Sequence, residues 1–187
     1  MHTGITSKEA IMQVCREIVA EKGLKALNMR LVADKCHIAL GTLYNYYSDK
    51  DELMVATVES VWRDIFHMNQ QCETDFSFPE YVQYIFTCIQ TGAEVYPNFF
   101  TEHTVSIAGS KKGEARNTMG NYFAHIKKGM LDVLEADDSV DENSFSESFT
   151  AAGFVDFVMD NLLLLLLQGI TDCSTLLVII RRMIYPV

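Results

Sequence analysis

Apolar residues recur at intervals of three and four along almost the whole chain, and no stretch alternates strictly in twos over several residues. That spacing lines one face of an α-helix and leaves nothing patterned as a half-buried strand. Ala10, Ile11, Val14, Cys15, Ile18 and Val19 define a first amphipathic helix, with Thr6 and Glu9 as a capping box and Gly23 as its stop. Asn28 is an N-cap for a short second helix that buries Met29, Val32 and Ala33. A tight turn at residues 36–38 leads to a third helix over about 39–46. Ser48 with Asp51 opens a long fourth helix whose stripe is Leu53, Met54, Val58, Val61, Trp62, Ile65 and Phe66. Further helices are expected over about 79–95, 97–107, 114–134, 144–168 and 172–184, with the acidic stretch 135–142 as a solvated loop. The expectation is an all-α chain of about nine helices.

Five widely spaced cysteines with no CxxC pair argue against a disulfide framework or a zinc site. His67, His103 and His125 form no i, i+4 pair and no HExxH occurs, so no metal site is expected. The first residues carry no basic stretch followed by an apolar run, so no signal peptide is read there. The leucine run 162–167 is six residues long, against about 20 for a membrane span. A cytoplasmic protein with no membrane partner is expected.

Net charge is −10, which at first argues against nucleic acid. The charge is uneven, however. Residues 1–50 carry seven basic and five acidic side chains, a net +2, and residues 51–187 carry eight and twenty, a net −12. A mildly basic head on an acidic body is the pattern of a chain that meets nucleic acid at one end.

Two close short helices joined by a tight turn form a helix-turn-helix pattern, in which the second helix enters the major groove. The segment Gly41-Thr42-Leu43-Tyr44-Asn45-Tyr46-Tyr47, followed by Lys50 and Leu53, resembles the signature of the TetR family of bacterial transcriptional regulators. Gly23, Asn28 and Val32-Ala33 match that family's spacing as well, so the detailed resemblance covers roughly residues 7–53.

The resemblance implies a DNA-binding set of Asn28, Arg30, Leu40, Gly41, Thr42, Tyr44, Asn45, Tyr46 and Lys50. Gly41 lets the helix lie close to DNA, and Thr42 and Asn45 reach base edges or phosphate. Tyr44, Tyr46, Arg30 and Lys50 are phosphate donors, Lys50 acting with the first amides of the fourth helix. Leu43 and Tyr47 face inward. Three positions depart from the family pattern: His37 stands where the turn usually has glycine, Ala39 replaces a hydroxyl N-cap, and Leu40 replaces a polar or basic residue.

The resemblance also implies two domains, residues 1–50 for DNA and residues 51–187 for ligand binding and dimerisation. Trp62, Phe66, Tyr84, Cys88, Phe100, His103, Met119 and Phe123 are the expected ligand-binding residues, being apolar or soft with a polar group among them. Leu162, Leu163, Leu166, Leu167, Leu176, Leu177, Ile180 and Ile184 are the expected dimer interface, an isologous four-helix bundle.

The function implied is a ligand-responsive repressor on a pseudo-palindromic double-stranded operator, released by a small apolar or aromatic molecule. The alternative is a helical ligand-binding or protein-interaction dimer with a degenerate head. No nucleophile–base pair or glycine-rich phosphate loop stands out, so neither an enzyme nor a cofactor is expected.

Overall fold

Several helix boundaries in this chain are made by side chains that lie within a turn of the break. The computed structural model describes residues 7–67, 76–97, 99 and 113–186, without the side chains of His67 and residues 113–122. The described residues form α1 (Lys8–Lys22), a 3₁₀ turn (Leu24–Ala26), α2 (Met29–Lys35), α3 (Leu40–Tyr44) and α4 (Lys50–His67). They continue with α5 (Phe78–Val95), α6 (Gly113–Ala136), α7 (Ala151–Leu167) and α8 (Ser174–Ile184). The chain is all-α, with helix-turn-helix elements at its N-terminal end. The helix expected over 97–107 lies almost wholly outside the described residues, as does Thr6.

Ser7, one residue after the expected cap, closes α1 by accepting the Ala10 N–H at 3.1 Å. Gly23 ends that helix at φ 78°, a conformation cheap for glycine alone, and its N–H satisfies the Val19 carbonyl. At the start of α4 the cap is Asp49, not Ser48: its carboxylate accepts the Glu52 N–H at 2.9 Å, and Glu52 reaches back to the Ser48 N–H at 2.6 Å. The expected helix over 144–168 is shorter. Phe145 and Phe149, four apart, mimic helical spacing, but a bridge between Ser146 and Phe149 brings the two rings together at 5.6 Å. Thr150 then caps α7 by accepting the Gly153 N–H.

The chain divides into two compact units, residues 1–67 with 92–120, and residues 68–91 with 121–187. In the first, Ile11, Val14, Cys15 and Ile18 of α1 meet Val32, Ala33, Leu43, Tyr47 and Leu53 in one apolar core. Burial pushes the Cys15 thiol up to about 12, so it is a neutral core group. In the second, Phe78, Val82, Phe86, Ile126, Met130, Phe154, Val158, Leu162, Leu176 and Ile180 are all buried, and Phe78 packs on Phe154 at 6.0 Å. Cys15, Cys36, Cys88 and Cys173 are buried free thiols; Cys72 is outside the described residues. No helix among the described residues is long and apolar enough to cross a membrane.

Asp137 belongs to the stretch expected to be a solvated loop, yet it is a junction. Its carboxylate accepts the Phe78 N–H at 2.8 Å, the Ser139 N–H at 3.0 Å and the Tyr185 hydroxyl. Burial pushes its pKa up, but donation from Tyr185, Phe78 and Ser139 outweighs this and holds the carboxyl below its usual range. A lowered folded-state pKa means the carboxylate stabilises fully above about pH 4, and that contribution is lost as pH falls through the lower folded value. Asp137→Asn is expected to cost about 2 kcal/mol at pH 7. Urea unfolding at pH 7 and pH 3 should show the variant losing less stability than the native chain over that interval.

Candidate nucleic-acid interface

The second and third helices are set by one turn. The Cys36 N–H bonds the Val32 carbonyl, the His37 N–H bonds Asp34 and the Ile38 N–H bonds Ala33. This is a Schellman closure, with His37 in the left-handed position at φ 55° where glycine is most at ease. Ala39 then precedes α3 in extended conformation with no side-chain cap. The helix survives on burial: Leu43 and Tyr47 are inside the head, as expected, and the Lys8 ammonium lies 5.6 Å from the Tyr47 ring centre. Glu21 and Lys35 join the ends of α1 and α2 at 2.8 Å.

The positions that α3 and its C-cap leave outside are Gly41, Tyr44 (48 % exposed) and Asn45, with Thr42 half-buried. Arg30 on α2 and Lys50 at the start of α4 are exposed too. Tyr46 is half-buried against the head core. Two of the expected contacts are spent elsewhere. The Asn28 carbonyl accepts the Leu31 N–H at 3.0 Å and its amide donates to the Ala26 carbonyl at 3.1 Å, so both ends of that side chain hold the start of α2. Leu40 packs against the head core, because the first turn of an uncapped helix needs an apolar anchor.

The first amides of α4 were expected to meet phosphate beside Lys50. Asp49 and Glu52 already occupy two of the N–H groups there, at Glu52 and Ser48. The Ser48 amide and hydroxyl hold the Glu52 carboxyl below its usual range, so it stays anionic near neutral pH. Positive charge at this end therefore comes from the Lys50 ammonium, flanked by the Asp49, Asp51 and Glu52 carboxylates.

Of the residues expected to bind ligand, Trp62 and Phe66 stack on one another at 6.1 Å, with Phe99 edge-on to Trp62 at 5.8 Å. Tyr84 stacks between Phe76 (5.6 Å) and Tyr81 (6.2 Å), Cys88 is fully buried, and Phe123 is half-buried. Phe100 and His103 lie outside the described residues, as does the side chain of Met119. A groove of about 440 Å³ in the second unit is lined by Phe149, Thr150, Gly153, Phe154, Phe157 and Met183, among others, and by none of the expected ligand residues. No cluster of metal-ligating side chains occurs among the described residues.

Half of the residues expected at the pairing face are turned into their own unit. Leu162, Leu176, Ile180 and Ile184 are buried within their own unit. Helical periodicity leaves the opposite face apolar and exposed: Phe157, Leu164 and Leu167 on α7, and Val178, Ile179 and Met183 on α8. Leu163, Leu166 and Leu177 are half-buried between these faces. A run of consecutive leucines hides which of them turn inward. The exposed Phe157 and Met183 line the same groove, so the two helices contribute to one surface.

Residues 11–57 match the family model described as bacterial regulatory proteins, tetR family. Over 51 residues the chain is 35 % identical to the HTH-type transcriptional repressor KstR of Mycobacterium tuberculosis, which is 27 % of this chain and 23 % of that protein. The chain thus spans about a quarter of the length of that curated relative. Among solved structures, the multidrug binding protein EbrR complexed with imidazole aligns at TM-score 0.63 and 19 % identity over 97 % of this chain and 93 % of that one. Mycobacterium smegmatis BioQ aligns at TM-score 0.60 and 14 % identity over 90 % and 82 %. At these identities the likeness is one of fold.

Asn28→Ala is expected to destabilise the chain by about 1 kcal/mol, because it removes the cap of α2. Asn28→Asp, which keeps the accepting oxygen, should retain most of that stability in the same denaturant titration.

Proposed function

We propose, for a chain whose residues 11–57 are of the tetR family of bacterial regulatory proteins, that it is a homodimeric, ligand-responsive DNA-binding regulator. In this reading residues 1–50 read DNA and residues 51–187 sense and pair. The repressor form, released by a small apolar or aromatic molecule, is the mechanism proposed.

Gly41 carries the reading. A Cβ built on it meets nothing within 4 Å, and its φ is not positive. Neither packing nor backbone geometry asks for glycine there, yet glycine inside a helix costs about 1 kcal/mol against alanine. A missing side chain that the protein's own interior does not need is explained by a surface approaching α3 from outside. Thr42, Tyr44, Asn45 and Tyr46 beside it supply hydroxyl and amide groups, and Arg30 and Lys50 supply charge, the mixture that phosphate and base edges require.

The apolar face of α7 and α8 supports the dimer, since side chains such as Leu164 (51 % exposed) and Leu167 (55 % exposed) form a patch that a second copy would cover. Two heads would then read half-sites about one helical turn apart or a multiple of it. An effector acts only by binding one head spacing better than the other. A second reading, a dimer whose head no longer reads DNA, is favoured by the uncapped Ala39 and the inward-packed Leu40.

Fluorescence anisotropy on a duplex selected by the native chain from a random pool tests this. Gly41→Ala should raise thermal stability by about 0.5–1 kcal/mol while weakening the selected duplex about 10-fold or more. Lys50→Ala should weaken all duplexes alike and reduce the salt slope by about one. If the native chain selects no sequence, the second reading stands. For the dimer, Leu164→Glu with Leu167→Glu should halve the mass measured by light scattering while leaving the helical circular dichroism in place.

A further inference from the structure

Within the unit of residues 1–67 and 92–120, the first helix of the head is tied through α4 to the end of α5. Tyr96, just past α5, is buried, and its hydroxyl donates to Asp64 Oδ2 at 2.6 Å. Asp64 Oδ1 lies 4.0 Å from Arg16 Nε on α1. Arg16 also donates to Ser60, one turn before Asp64 on α4, and on its own helix to Gln13 and to Glu9 at 3.2 Å. The Arg16 side chain is only 13 % exposed, so its charge is held by these partners more than by water.

Shape reinforces the polar chain. Gly92 lies so close to α4 that a Cβ there would sit 2.6 Å from Ile65 Cγ1. Ile65 is fully buried and β-branched, with little rotameric freedom to yield. One turn on, Tyr96 meets Asp64, and then Phe99 meets Trp62 edge-on. A displacement at the end of α5 cannot be taken up by loose side chains at such a seat. Gly92 and Tyr96 thus seat the end of α5 on α4 within this one unit.

We propose that Gly92, Tyr96, Asp64 and Arg16 form a coupling latch that passes the position of the end of α5 through α4 to α1. Tyr96, Asp64 and Arg16 are positioning residues: none belongs to the exposed surface of α3. The latch serves DNA binding only if the head reads DNA as proposed above, but its mechanical link does not depend on that reading.

Hydrogen exchange by mass spectrometry on the full chain tests the link. Tyr96→Phe removes one hydroxyl and should leave the melting temperature within a few degrees of the native value. It should speed amide exchange along α1 about 3- to 10-fold, the scale of one lost hydrogen bond, and leave α7 and α8 unchanged. Arg16→Lys, which keeps the charge but not the fork, should speed exchange in α1 alike, and the double variant should be no faster than the more affected single one. Exchange that changes only around residues 92–99 and α4, or effects of the two variants that simply multiply, would overturn the latch. Anisotropy on the selected duplex keeps the two ideas apart: faster α1 exchange in a chain that selects no DNA upholds the latch and removes the DNA reading.

Discussion

A helix of five residues has no stability of its own, and α3 stands only because Leu43 and Tyr47 are buried at its inner side. Everything else at the exposed face follows from that anchoring. Cys15 and Ile18 of α1, Val32 and Ala33 of α2 and Leu53 of α4 form the floor on which α3 rests. His37 fixes the angle at which α2 hands over to it, by accepting a left-handed conformation in exchange for closing three backbone hydrogen bonds. The missing cap at Ala39 can be tolerated because the turn before it and the burial after it are both secure.

The electrostatics of the head are finer than its net +2 implies. Lys50 shares the start of α4 with the Asp49 and Glu52 carboxylates, and Lys35 is engaged by Glu21. Positive charge at the exposed face is thus local and sparse, held by Arg30 and Lys50 among hydroxyl and amide groups. If it meets DNA as proposed, such a surface would draw less of its affinity from the non-specific phosphate term than a lysine-rich one would.

Periodicity made the helices of this chain legible, because three-and-four spacing is a local property. The inward roles of Leu43 and Tyr47, the cap at Asn28 and the left-handed His37 could all be read from neighbours within a few residues. What sequence spacing does not carry is the choice among adjacent candidates and the pairing of distant ones. Ser7 and Asp49 displaced Thr6 and Ser48 as caps, a shift of one residue in each case. Phe145 and Phe149 have helical spacing but meet across a bridged turn. Asn28 read equally as a cap and as a DNA contact, and its two hydrogen bonds make it a cap. Arg16 with Asp64 and Tyr96, and Asp137 with Phe78 and Tyr185, join residues far apart in the chain. Locally each is one charged or phenolic side chain on an amphipathic helix or at a helix end, with nothing to name its partner.

If the exposed apolar face of α7 and α8 pairs two copies as proposed, mass action enters the behaviour of the molecule. In the proposed dimer such a pair would dissociate on dilution, so the fraction able to engage two half-sites would rise with the number of chains present. Because two chains must meet before either head gains from the other, occupancy of a two-part site climbs with the square of concentration while pairs are scarce. On that reading the amount of the protein becomes an input of its own, separate from the proposed effector.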